Sequence, residues 1–253
     1  MKLITKTICS VALVAASMQV AIASDTTWDF NSNNNAMDYS YNTSYNTYAY
    51  YGNNLSDSQN GQTIKVTGYS DTYERQGDDL IQSTFVMNNS YGLLSYNQNG
   101  GYDEEHTTDN IGNRNDTDML FFEFSDAVSL TSLEMGWVES DSDISIAAFS
   151  SMPTLSGSTW SDVASNAVFT TSFSDVGSGI LNLSSIVTEA KYWLIGAYHR
   201  AFGGENWSDN NDGFKLLALT THLQDEPPSD VPAPATALMA ALMGLVLYRR
   251  RKA

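Results

Sequence analysis

Asp118-Met-Leu-Phe-Phe-Glu-Phe124, followed after Ser-Asp-Ala by Val128-Ser-Leu-Thr-Ser-Leu-Glu-Met-Gly-Trp-Val138, is the stretch that decides the fold. Phe, Leu, Val and Thr dominate it, which suits a pleated and half-buried surface. The short apolar runs are broken by small polar residues, too soon for helices of ordinary length. The same grammar continues on both sides. Strands are predicted at 62–69, 80–87, 91–96, 118–124, 128–138, 143–150, 166–174, 179–183, 192–199 and 213–221. Gly, Asn, Asp and Ser bound these runs, and only Trp160 to Ser165 reads as a helical turn. Many short strands without alternating helices predict an all-β domain, a jelly-roll-like β-sandwich. Trp137, Trp193, Phe122 and Phe149 are its expected core or near-core aromatics.

Upstream, residues 24–60 are rich in Asn, Tyr, Ser and Thr and contain no Lys or Arg. Tyr39, Tyr41, Tyr45, Tyr48, Tyr50 and Tyr51 are interleaved with polar residues. Such a strip either stacks on sugar rings or packs as an irregular edge strand on the sheet beneath. The domain proper is expected over 61–223. Residues 224–230, with two prolines and three acids, read as an extended stalk.

The two ends of the chain speak of export. Lys2 and Lys6 precede an apolar run from Ile8 to Ala16 and then Ala21-Ile22-Ala23, the layout of a secretory signal peptide over residues 1–23. Cys9, the only cysteine, lies inside it, so the mature chain has neither disulfides nor thiolate ligands. Of 12 basic residues, two lie in this leader and four at the extreme C-terminus. The remaining six face all 29 acids, a net charge of −23 for the body between. Such a body repels nucleic acid and anionic lipid. It reads either as solvation of an exported protein or as a body that collects divalent cations.

The last stretch, 231–253, holds Val231-Pro232-Ala233-Pro234, an uncharged run from Ala235 to Tyr248, and Arg249-Arg250-Arg251-Lys252. As a transmembrane helix the run reaches only about 21 Å, short of a ~30 Å hydrocarbon core. The basic end stretches that reach by snorkelling and fixes a cytoplasmic end. The order of Val-Pro-x-Pro, apolar run and Arg-rich end resembles the PEP-CTERM-type sorting signal of exosortase-dependent surface proteins in Gram-negative bacteria. Ala233 stands where that motif usually has Glu, so the signal resembles a Val-Pro-x-Pro variant. The resemblance implies transient residence in the inner membrane, removal of the tail by an exosortase-like membrane protease, and delivery to the cell surface or extracellular matrix.

The inner segment His106-Thr-Thr-Asp109-Asn110-Ile-Gly112, with Asp118, Gly136-Trp137, Asp141 and Asp143, resembles the extracellular domain of the same family. Tyr192 to Ala197 and Phe214 to Leu216 extend the match over 25–222. That family is defined by address and architecture and implies no particular activity.

Read for chemistry alone, these residues put oxygen donors in loops at strand ends. Asp109, Asn110, Asp116 and Asp118 share one loop, and Asp141 and Asp143 another. Calcium takes six to eight hard oxygen ligands, so the two loops together form the expected Ca2+ site. Asx-turn and strand-capping chemistry is the alternative reading. Asp209-Asn-Asn-Asp212-Gly213 resembles half an EF-hand loop, but Ser208 and Leu219 stand at its end positions. His106, His199 and His222 show no metal spacing, and no nucleophile elbow or phosphate loop is present.

Two further functions bear testing. A carbohydrate-binding module would use the Tyr-rich segment and Trp207, with exopolysaccharide as partner. A glycan-active hydrolase would use Glu139, Asp141 or Asp143, which a strand would project on one face. The leading expectation is a non-enzymatic surface protein, with calcium binding and strand-end capping both open as the role of its acidic loops.

Overall fold

The computed structural model describes residues 24–31, 38–39, 43–46, 49–72, 80–96, 107–111, 116–139, 141–204, 207 and 211–224. The predicted signal peptide, the stalk, the sorting tail and His106 lie outside them. Among the described residues no helix is long and apolar enough to cross a membrane.

The fold is all-β. In chain order the strands are β1 (Ser24–Asp29), β2 (Asp38–Tyr39), β3 (Thr43–Asn46), β4 (Ala49–Gly52), β5 (Leu55–Gln59), β6 (Gln62–Thr72), β7 (Leu80–Asn89), β8 (Gly92–Tyr96), β9 (Thr108–Asp109), β10 (Asp118–Val138), β11 (Ile144–Phe149), β12 (Phe169–Phe173), β13 (Gly179–Asn182), β14 (Ala190–Ala197) and β15 (Gly213–Leu223). Among the described residues there are also one short helix, α1 (Trp160–Ser165), and a 3-10 turn (Arg200–Phe202). Thr159 caps α1 in a capping box with Asp162, which satisfies amides at the start of the helix.

The sequence expects two strands at 118–124 and 128–138; the structure joins them into the single strand β10. Its first half pairs with β6 on one edge and β14 on the other, Phe122 facing Val66 and Trp193 across the ladders. The register then shifts between Glu123 and Val128, where Asp126 and Ala127 are exposed. Beyond this bulge the second half pairs with β15 and β13 in the other set of strands. A bulge bends a strand and increases its twist, which lets one strand serve two sheets. β7 behaves likewise: Leu80 to Thr84 pairs with β6, while Phe85 to Asn89 pairs with β8.

The polar N-terminal part hides strands that the hydrophobic pattern does not reveal. β1 reads Ser-Asp-Thr-Thr-Trp-Asp, yet Thr26 and Trp28 are buried and the whole strand pairs with β15, Ser24 opposite Leu223 and Asp29 opposite Ala218. β5 pairs with β6 through a tight turn at Asn60-Gly61, both at positive φ. Side chains from both strand sets meet in one core. Trp28 lies 6.1 Å from Phe124 and Phe30 lies 6.2 Å from Phe122 between ring centroids. Leu120, Ile146, Trp193, Leu216 and Leu219 are fully buried in the same cluster. A second cluster, around Trp160, Phe121, Phe149 and Phe202, covers the outer face under α1.

Trp193, Phe122 and Phe149 are core residues and Trp137 lies at the edge of the core, all four within the expectation. Trp137 is half-buried, with Lys215 Nζ 5.1 Å from its ring centroid. The ammonium and the indole face make a cation–π contact near the end of β10, which keeps Trp137 at the surface.

Candidate acidic centre

Three strand ends converge on one point. Asp212 immediately precedes β15, Asp141 and Asp143 lie in the β10–β11 connection, and Asn110 follows β9. Asp141 and Asp212 form an isolated parallel bridge. One carboxylate oxygen from each of Asp141, Asp143 and Asp212 lies within 4.8 Å of the others. Asp143 and Asp212 are buried and Asp141 is half-buried.

Hydrogen bonds fix this geometry. Asp212 Oδ1 accepts from Asp143 N at 2.8 Å and Oδ2 accepts from Asn110 Nδ2 at 2.7 Å. Asn110 returns the favour to the backbone, its Oδ1 accepting from Asp212 N at 2.8 Å while Nδ2 also donates to Tyr198 O at 2.9 Å. Asp143 Oδ1 accepts from Asp175 N at 2.7 Å, and its carbonyl accepts from Tyr198 N at 3.0 Å. Asn211 Nδ2 donates to Asp141 Oδ2 at 2.7 Å. Asn211 Oδ1 is buried and accepts no hydrogen bond among the described residues.

Burial is the main force on these acids. It raises Asp212 to about 7, against the hydrogen bonds from Asn110 and the Asp143 amide, and the charges of Asp143 and Asp141 push the same way. Asp143 is also raised, first by burial and then by Asp141 and Asp175, with the Asp175 amide opposing. Carboxylates held together and partly desolvated favour either a shared proton or a cation. The donors are all oxygen, with no sulfur or imidazole in the set, which suits a hard ion such as calcium.

The residues expected to share one site separate into two groups. Asn110, Asp141 and Asp143 join the centre just described. Asp109, Asp116 and Asp118 fall with Asp71 in a second acidic group at the start of β10 and the end of β6. There Asp118 is buried, accepts from Ser70, and leaves Oδ1 without a partner among the described residues. Burial pushes its carboxyl well above the usual range, and Asp109, Asp116 and Asp71 push it further. Asp71 is raised to about 7, mainly by burial, although it accepts from Thr117 N. Asp109 accepts from Thr107 Oγ1 and from Ile111 N. Asp109 and Asn110 are neighbours in sequence, but alternation along the chain turns them to different groups.

Asp212 completes the centre, and sequence reasoning passed over it. The signal was present in Asn211-Asp212-Gly213, set aside because the surrounding spacing did not match an EF-hand. The Asp-Gly pair has a different purpose here. A Cβ at Gly213 would sit 3.2 Å from Ile111 Cδ1 and 3.4 Å from the Cβ atoms of Asp109 and Glu139, so glycine lets β9 lie close beside β15.

Comparison with protein-family models, with curated proteins and with solved structures gives no match to this chain.

Proposed function

We propose that this chain is an exported, non-enzymatic surface protein whose jelly-roll-like β-sandwich binds calcium at Asp141, Asp143 and Asp212. The observation that carries the reading is the approach of three carboxylates to within 4.8 Å, with two of them buried. Calcium at this point would link the ends of β9, β10, β11 and β15, neutralising charges that otherwise repel. Asn211 Oδ1, buried and without a hydrogen bond among the described residues, is a neutral oxygen on a side chain that also holds Asp141. Export and sorting rest on the signal-peptide layout of residues 1–23 and on Val231, Pro232, Pro234, Arg249, Arg250 and Arg251. In this reading an exosortase-like membrane protease removes the tail after a pause in the inner membrane, and the acidic body ends in the surface layer or matrix.

The hydrolase reading has less support. Neither Asp141 nor Asp143 nor Glu139 lines the open cleft between β12 and β13, whereas a glycosidase pair has to flank a bound sugar.

The calcium reading is tested by thermal unfolding of the full chain in calcium and in chelator at pH 8. A higher Tm in calcium is expected, and identical curves refute the site. Sorting is tested by deleting residues 231–253: the truncated chain is expected in the medium, and unchanged localisation refutes the tail assignment.

A further inference from the structure

Beside the acidic centre lies an open cleft of about 510 Å3. One wall is the loop between β12 and β13, with Phe173, Ser174, Asp175 and Ser178; the other carries Trp207. Among the described residues β12 pairs with β11 alone and β13 with β10 alone, so the cleft sits between two strands at the ends of their ladders. Its surface mixes aromatic faces with hydroxyls and one carboxylate.

Both walls are anchored to Asp143. On the loop side, Asp175 N donates to Asp143 Oδ1 at 2.7 Å, Val176 N donates to Ser142 O at 3.2 Å, and Ser142 Oγ donates to Val176 O. Asp175 takes φ of 49°, a conformation that non-glycine residues adopt at a cost and that is retained where surrounding contacts impose it. On the other side, Trp207 packs on Tyr198 with ring centroids 5.2 Å apart. It also lies over Gly204, where a Cβ would come within 2.9 Å of the indole. Tyr198 N in turn donates to Asp143 O, and Tyr198 O accepts from Asn110. The half-buried indole is thus held by contacts that lead back, through Tyr198, to Asp143 and Asn110.

We propose that this cleft is a subsite for a neutral saccharide, and that cation occupancy of Asp141, Asp143 and Asp212 sets its two walls. A flat apolar ring opposite hydroxyl and carboxylate acceptors matches the C–H face and the hydroxyl edge of a pyranose. A net charge of −23 on the body, with Asp175 in the wall, selects against anionic sugars. The proposal rests on the cation reading for its switch, and on Trp207 for its specificity.

The test is retention of the full chain on an array of neutral hexose oligomers (glucans, mannans and galactans), in calcium and in chelator. Two variants accompany it. Trp207→Ala removes the stacking face. Gly177→Glu inserts a charged side chain into the opening, at a position where a Cβ meets nothing within 4 Å. Retention in calcium is expected, weakened in chelator, reduced about tenfold or more by Trp207→Ala and abolished by Gly177→Glu, while both variants keep the wild-type calcium-dependent rise in Tm. No retention of any neutral oligomer in calcium overturns the subsite, as does retention that neither variant alters. Retention lost in Trp207→Ala but equal in calcium and chelator overturns the coupling. A Tm indifferent to calcium refutes the cation reading instead, so the two failures are read on separate measurements.

Discussion

Replacing Asp212 by Asn separates two roles that this side chain combines. Without a cation, Asp212 is a buried acid whose pKa rises from 3.8 to about 7. Its folded pKa lies above its unfolded one, so its favourable contribution is complete below about pH 4 and is lost as the pH rises through 7. At pH 8 the folded chain carries a penalty of about 4 kcal/mol as an upper bound. Asp212→Asn removes that penalty. The amide has one oxygen, however, and must face both the Asp143 amide at 2.8 Å and Asn110 Nδ2 at 2.7 Å. One donor loses its acceptor, which costs about 1–3 kcal/mol. The net expectation in chelator at pH 8 is a variant more stable by up to about 3 kcal/mol, or a Tm higher by several degrees at most for a domain of this size. At pH 4 the gain disappears, because the wild-type carboxyl is protonated there and the lost acceptor remains.

Calcium reverses the order. At about 100 times its dissociation constant a ligand adds about 2.7 kcal/mol to the wild type, and nothing to a variant that has lost one of three carboxylates. Calorimetry of both chains in chelator and in calcium, at pH 4 and pH 8, gives the four comparisons. The reasoning is refuted by a variant less stable than wild type in chelator at pH 8, or by a variant that retains the full calcium shift.

Three further outcomes follow from the same structure. Asp118→Asn removes the most deeply buried acid of the second group, whose folded pKa is raised; urea unfolding should show wild-type stability falling as pH rises from 4 to 8, with a flatter fall in the variant. Gly196→Ala in β14 places a Cβ 2.5 Å from the backbone oxygen of Asp118 and 2.3 Å from Met119 Cγ, and equilibrium unfolding should show a loss of about 1–3 kcal/mol. Trp193→Ala empties a fully buried site whose indole N–H donates to Val128 O and Ala190 O; the loss should reach about 3–5 kcal/mol, and a smaller value would mean that the core relaxes around the gap.

The strand pattern was legible wherever one face is apolar. Runs such as Tyr192 to Ala197 and Gly213 to Thr221 carry β-branched and aromatic residues between turn signals, and they are strands. β1 was not legible, because its inward residues are Thr26 and Trp28 and its outward ones are Asp and Thr. Burial there is conferred by β15, a partner about 200 positions away, and no local window contains that information. The continuity of β10 was concealed for a similar reason. Ser-Asp-Ala reads locally as a turn, but it is an exposed bulge with paired strand on both sides. Four of the six expected ligands were assigned to one loop by their closeness in sequence. The structure sorts them by the side of β9 and β10 to which each turns. Asn110 joins the β10–β11 connection and Asp212, the residue that closes the centre. Trp137, expected in or near the core, sits at its edge, where Lys215 on the neighbouring strand gives it a partner.

The pairing of β1 with β15 carries a consequence for the order of events in synthesis. Ser24 is opposite Leu223, so among the described residues the strand made first has no partner until the one made last is complete. Until then the buried face of Trp28 and the backbone edge of β1 are open to water and to other chains. Closure of this ladder is a late and long-range event, of the kind that folds slowly. A chain interrupted before residue 213 would keep most of β10, β11 and β14 yet lack β15, the strand that joins β1, β8, β9 and the second half of β10. The domain is thus sealed only by its own final segment, and an incomplete copy is left with an open seam.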